Sequence, residues 1–178
     1  MKISVYCSSA PDIDPALIDF AYELGKAIAL GGHDLVWGGA KISMMGAVAR
    51  GARDHGAKTI GVIPRALVDR EIQDPQASEL HLVDTMRERK ALIEELADGF
   101  IALPGGIGTL EEFFEIWVGR YLEFHAKPIA VLDPVDAFGP LKIAIEHLAS
   151  HKLMKSGQSQ LISWTTQVDE ALSALTGR

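Results

Sequence analysis

Apolar residues recur along this chain in two alternating patterns. Short unbroken runs, such as Phe100-Ile101-Ala102-Leu103, sit between polar turns. Longer stretches repeat their apolar positions with helical spacing. Unbroken runs suit strands buried on both faces, and the helical period suits layers packed on them. The pattern predicts strands over residues 3–7, 34–37, 59–63, 80–83, 99–103, 128–132 and 161–164. It predicts helices over 15–30, 43–55, 86–97, 110–124, 137–151 and 167–175. This alternation implies an α/β fold, a Rossmann-like doubly wound sheet of mostly parallel strands with helices on both faces. No repeat or linker breaks it, so 1–178 is expected to form one domain. Residues 64–78 are the one long irregular piece, expected as a loop or short helix over the site.

The polar punctuation falls on one edge of that sheet. Cys7-Ser8-Ser9 follows the first strand, Gly38-Gly39 the second, and Thr85-Met86-Arg87-Glu88-Arg89-Lys90 the fourth. The fifth leads into Pro104-Gly105-Gly106-Ile107-Gly108-Thr109-Leu110-Glu111-Glu112. Ligands of such sheets bind outside the carboxyl ends of the strands, near the point where strand order reverses. A strand, a glycine turn and a helix start together make an anion cradle of bare N–H groups. Gly105, Gly106 and Gly108 let that backbone approach a phosphate closely. Glu111 and Glu112 stand within one turn of it, which suggests chemistry on a phosphorylated small molecule. The blander reading is a T-x-x-E capping box, with Glu112 bonded back to the amide of Thr109.

Thr85 and Glu88 form a second such box, so a helix is expected to start at Met86. Arg87, Arg89 and Lys90 then oppose the helix dipole in its first turn. A carboxylate or anion would offset that cost, and Arg89 is placed to meet Glu112 or a substrate phosphate or hydroxyl. Gly38 and Gly39 are expected to leave room for a flat ligand against the backbone. The small residues from Gly46 to Ala52 are expected to allow close helix–sheet packing. His147 and His151, four apart on a helix, lack a third ligand nearby and read as surface histidines. Cys7 reads as a small buried residue rather than a nucleophile.

Composition narrows the class. A net charge of −7 with no basic block argues against nucleic-acid binding. The apolar runs are far shorter than the ~20 residues that span a bilayer. The chain enters a strand at once, and its single cysteine excludes an intrachain disulfide, so a cytoplasmic location is expected. No G-x-G-x-x-G follows the first strand, and no Walker A motif occurs.

With these motifs assembled, the chain resembles the Lonely Guy family of cytokinin riboside 5'-monophosphate phosphoribohydrolases, some of which carry the label possible lysine decarboxylase. The family signature P-G-G-x-G-T-x-x-E corresponds to Pro104–Glu112, and M-x-x-R-K corresponds to Met86–Lys90. The resemblance implies that Arg89 and Glu112 are the essential pair. It implies a phosphate loop of Gly106, Ile107, Gly108 and Thr109, a substrate-contacting Lys90, and a nucleotide-contacting carboxylate at Glu71. Val118 stands where plant members often carry Thr. A decarboxylase would need pyridoxal phosphate on a Schiff-base lysine, and Lys90, the only lysine at the expected site, has another role in the family pattern.

The implied reaction is hydrolysis of the N-glycosidic bond of a purine nucleoside 5'-monophosphate, either AMP or a cytokinin riboside monophosphate, without metal or cofactor. Glu112 would stabilise an oxocarbenium-like transition state and orient water, with the glycine loop on the phosphate. A non-catalytic nucleotide or molybdenum-cofactor carrier is the alternative, using the loop without needing Arg89 and Glu112. The helix after Glu112 carries Phe113, Phe114, Ile116, Trp117, Val118, Tyr121, Leu122 and Phe124. Its scant polar face predicts a homodimer through that helix.

Overall fold

The computed structural model describes residues 1–71 and 73–177, with the side chains of 69–71 left out. Its elements, in chain order, are β1 (Lys2–Tyr6), α1 (Pro15–Leu30), β2 (Asp34–Trp37), α2 (Ser43–Asp54), β3 (Thr59–Pro64), α3 (Arg65–Glu71) and β4 (Glu79–Val83). They continue with α4 (Met86–Leu96), β5 (Gly99–Ala102), α5 (Ile107–Tyr121), β6 (Ile129–Leu132), α6 (Gly139–Ser150), β7 (Ile162–Thr165) and α7 (Val168–Thr176). A 3₁₀ turn over Ser159–Leu161 precedes β7.

The strands form one sheet in the order β4-β3-β2-β1-β5-β6-β7, and every pairing is parallel. Strand order reverses between β1 and β5, which opens a crevice at their carboxyl ends. Alternate residues of β1, β2, β5 and β6 feed two cores. Ile3, Val5, Leu35, Trp37 and Ile101 pack with α1, α2 and α7. Tyr6, Val36, Ile60, Phe100 and Val131 pack with α4, α5 and α6. The central strands are therefore buried on both faces, whereas β4 and β7 at the edges carry exposed positions.

The expected packing of the small residues changes, whereas the irregular piece holds the short helix expected of it. The small residues of α2 serve helix–helix packing: a Cβ on Gly51 would strike the Tyr22 carbonyl of α1, and one on Gly25 would strike Val48 O of α2. The irregular piece 64–78 begins with α3, then bridges Gln73 to Ala40, and its Asp74 N–H donates to Gly39 O at 2.9 Å. Gly39 makes this turn with φ +79°, a left-handed conformation that a side chain opposes.

Candidate active site

A cavity of about 370 Å³ opens at the crevice between β1 and β5. Residues following β1 (Cys7, Ser8, Ser9, Ala10), Gly38 after β2, Met86 and Arg89 of α4, and the start of α5 line it. The motifs thus converge although they lie far apart in sequence, because parallel strands bring all their carboxyl ends to one edge.

The glycine loop is itself the first turn of a helix. Residues 107–109 were expected to precede the helix, yet α5 begins at Ile107 with extended Gly106 as its N-cap. No side chain caps that end, so its leading N–H groups point toward the cavity. Thr109 is thereby inside the helix and buried, which rules out its capping box with Glu112. A Cβ on Gly106 or Gly108 would meet no protein atom within 4 Å, so the space over the loop is open for a ligand. Gly105 has a different task and does not line the cavity: a Cβ there would collide with the Thr109 hydroxyl. Glu111, Glu112, Ile107 and Thr109 do line it.

Arg89 reaches the site from α4. Thr85 caps that helix by accepting from Glu88 N–H at 3.1 Å, and the Glu88 carboxylate accepts from Asp84 N–H at 2.8 Å. The expected cap therefore forms, and its carboxylate eases the cost of the nearby cations. Arg87 stays exposed, while Arg89 is buried. Arg89 Nε donates to Val62 O at 3.2 Å, and Nη2 donates to Gly38 O at 3.0 Å. The carbonyls at the ends of β2 and β3 thus seat a permanent cation on the cavity floor. Gly38 was expected to leave room for a flat ligand, but the Arg89 guanidinium already fills that room. Gly39 lies against Ile63 and Leu80, outside the cavity lining.

Lys90, next in sequence, points elsewhere. Its ammonium lies 2.9 Å from Glu111 Oε1 and 2.9 Å from Glu115 Oε2, between α4 and α5. Those two carboxylates push its pKa up. A Schiff-base lysine needs the opposite shift, so the decarboxylase chemistry does not fit this residue. The Glu71 side chain lies outside the described residues.

The negative charge of Glu112 is felt by two buried neighbours, Cys7, which the sequence puts on this edge, and Tyr6, which sequence reading missed. Burial, and then Glu112, push up the Tyr6 phenol and the Cys7 thiol. Both groups are neutral at ordinary pH, so Cys7 is a wall of the site rather than its nucleophile. Met45 of α2 also lines the cavity. The position of Tyr6 at the carboxyl end of β1 was the available clue. Among the described residues, no group of three or more His, Cys, Asp or Glu is placed to hold a metal. His147 on α6 and His151 at its end are exposed, their rings 4.3 Å apart. No helix is long and apolar enough to cross a membrane, among the described residues.

Comparison with known proteins places this chain in a family. The family model described as possible lysine decarboxylase matches residues 45–175. The cytokinin riboside 5'-monophosphate phosphoribohydrolase of Mycobacterium marinum is 44% identical over 97% of this chain and 91% of the relative. That of Rhodococcoides fascians is 36% identical over 98% and 88%. Among solved structures, the molybdenum cofactor carrier protein of Chlamydomonas reinhardtii superposes with a TM-score of 0.76 at 20% identity, covering 99% of this chain and 96% of that one. The molybdenum cofactor binding protein of Rippkaea orientalis gives 0.73 at 21%, covering 99% and 95%. These two likenesses show the fold. The sequence matches show more: the chain belongs to the family described as possible lysine decarboxylase, that of the Lonely Guy cytokinin riboside 5'-monophosphate phosphoribohydrolases.

Proposed function

We propose that this chain hydrolyses the N-glycosidic bond of purine nucleoside 5'-monophosphates, either AMP or cytokinin riboside monophosphates. The products are a free base and ribose 5-phosphate. One observation carries the reading: an uncapped glycine helix start, a carboxylate one turn later and a buried arginine line a single cavity of about 370 Å³. That volume is in the range of small-molecule sites. The names of the curated relatives support the same reaction.

The chemistry follows from the placement. The α5 N-terminus holds the 5'-phosphate, and this remote binding energy positions the ribose. As the C1'–N bond breaks, positive charge grows on the ribose, and the Glu112 carboxylate stabilises it. Glu112 also orients the water that adds to C1' and accepts its proton, while the base leaves with the C1'–N electron pair and takes a proton from solvent. Arg89 supplies a fixed cation for ribose hydroxyls or for Glu112. Ser8 and Met86 complete the walls. Glu112→Gln tests these roles: turnover should fall by about 10²–10⁴-fold with nucleotide binding retained. Unchanged turnover would overturn the assignment. A carrier protein needs the phosphate cradle alone, and the Arg89–Glu112 side of the cavity favours the enzyme.

The proposal includes a homodimer through α5. Phe114, Val118 and Leu122 form an exposed stripe on this helix, and a groove of about 270 Å³ runs between it and Leu148 and Leu153. A two-fold pairing would cover that stripe on both copies at once. The phosphorylated substrate fits a cytoplasmic enzyme.

A further inference from the structure

We propose that Lys90 and Glu115 are positioning residues, a brace that holds α4 and α5 so that Arg89 and Glu112 face each other across the cavity. The activity readout rests on the reaction proposed above, whereas the brace itself belongs to the two helices. Lys90 follows Arg89 on α4, and Glu111 precedes Glu112 on α5. On α4 Arg89 faces the site and Lys90 the other helix, whereas on α5 Glu111 both lines the cavity and reaches Lys90. The Lys90 ammonium sits 2.9 Å from both Glu111 and Glu115, and its side chain is only 13% exposed. Glu111 and Glu115 are four apart on one helix face, where like charges repel. A single shielded cation between them resolves that repulsion and fixes the spacing of the helices. Exposed ion pairs contribute little to global stability. Their consequence here is geometric, because a small misplacement of reacting groups costs turnover steeply. Neither Lys90 nor Glu115 lines the cavity. The raised pKa of Lys90 keeps the ammonium charged throughout neutral pH.

The test compares Lys90→Met, Glu115→Gln, Lys90→Arg and the Lys90→Met/Glu115→Gln double variant, with AMP as substrate and backbone hydrogen exchange as a second readout. The brace predicts a fall in kcat of about tenfold in Lys90→Met and at least about threefold in Glu115→Gln, with KM within about threefold. The double variant should be no slower than Lys90→Met, since the two act through one contact. Lys90→Arg should recover most of the rate. Exchange over residues 107–115 should quicken in Lys90→Met and Glu115→Gln. A raised KM with unchanged kcat in Lys90→Met, beside a wild-type Glu115→Gln, would make Lys90 a substrate contact and overturn the brace. If the wild-type protein releases no base, the reaction is wrong, and the exchange data still decide the brace: unchanged protection in both variants refutes it.

Discussion

The guanidinium of Arg89 occupies the volume that a side chain at Gly38 would need. Nη2 donates to the Gly38 carbonyl at 3.0 Å, and a Cβ on Gly38 would collide with that nitrogen. A glycine at the end of β2 is therefore part of how an arginine from α4, five elements later in the chain, enters the site.

Gly38→Ala follows from this relationship. The added methyl forces Arg89 off its two carbonyls or shifts the strand end, at a cost of about 1–3 kcal/mol. Displacing the cation should lower kcat/KM by roughly 100-fold, a loss larger than a modest drop in melting temperature would suggest. Steady-state kinetics beside thermal unfolding checks it, and near wild-type kinetics would show that Arg89 need not sit there.

Gly108→Ala should behave in the opposite sense for stability. A Cβ at Gly108 meets no protein atom, and alanine suits a helix better than glycine by about 0.5–1 kcal/mol. The variant should unfold at the same or a higher temperature. Its methyl enters the cradle, so KM for nucleotide should rise by about tenfold or more, a loss of roughly 1.4 kcal/mol or more in phosphate binding. Thermal unfolding reads the first effect and steady-state kinetics with AMP the second.

His125 gives stability a pH dependence. Its Nδ1 accepts from Lys127 N–H at 3.2 Å, and its Nε2–H donates to Ile116 O at 2.9 Å. Only the neutral ring makes both bonds. Burial, its largest influence, lowers the pKa of the folded state. The unfolded chain therefore binds this proton more readily, and stability declines as pH falls from about 6.5 toward the lowered folded value. Urea midpoints measured down to pH 5 should fall less steeply in His125→Gln than in the wild type. Parallel curves would remove His125 as the source.

Val118 is half exposed in the stripe on α5. Val118→Glu places a charge at the centre of the proposed self-contact, where desolvation is costly. Light scattering at micromolar concentration should report a dimer for the wild type and a monomer for this variant. A monomeric wild type would refute the dimer.

Much of the architecture was legible because strand and helix differ in period. The runs at Asp34–Trp37 and Gly99–Ala102 and the helix at Pro15–Leu30 stand where the pattern put them. The start of α5 was misplaced because Thr109-Leu110-Glu111-Glu112 mimics a capping box, while glycines are tolerated in a first turn whose N–H groups are unpaired anyway. Arg89, Glu112 and the glycine loop converge as their motifs suggested. Lys90 does not line the cavity, because consecutive helical residues point in different directions, and sequence alone cannot say which of Arg89 and Lys90 turns inward. Tyr6 and Met45 were hidden among core residues, since a wall of a cavity and a wall of a core share one composition.

The central claim is base release from a nucleoside monophosphate. Purified protein incubated without added metal with AMP or isopentenyladenosine 5'-monophosphate, and analysed by chromatography, should yield free adenine or the N6-modified base with equimolar ribose 5-phosphate. Release should fall by about 100-fold or more in Glu112→Gln and Arg89→Ala. Intact nucleotide in every reaction, with tight binding still measurable, would contradict the account and make the protein a carrier or sensor.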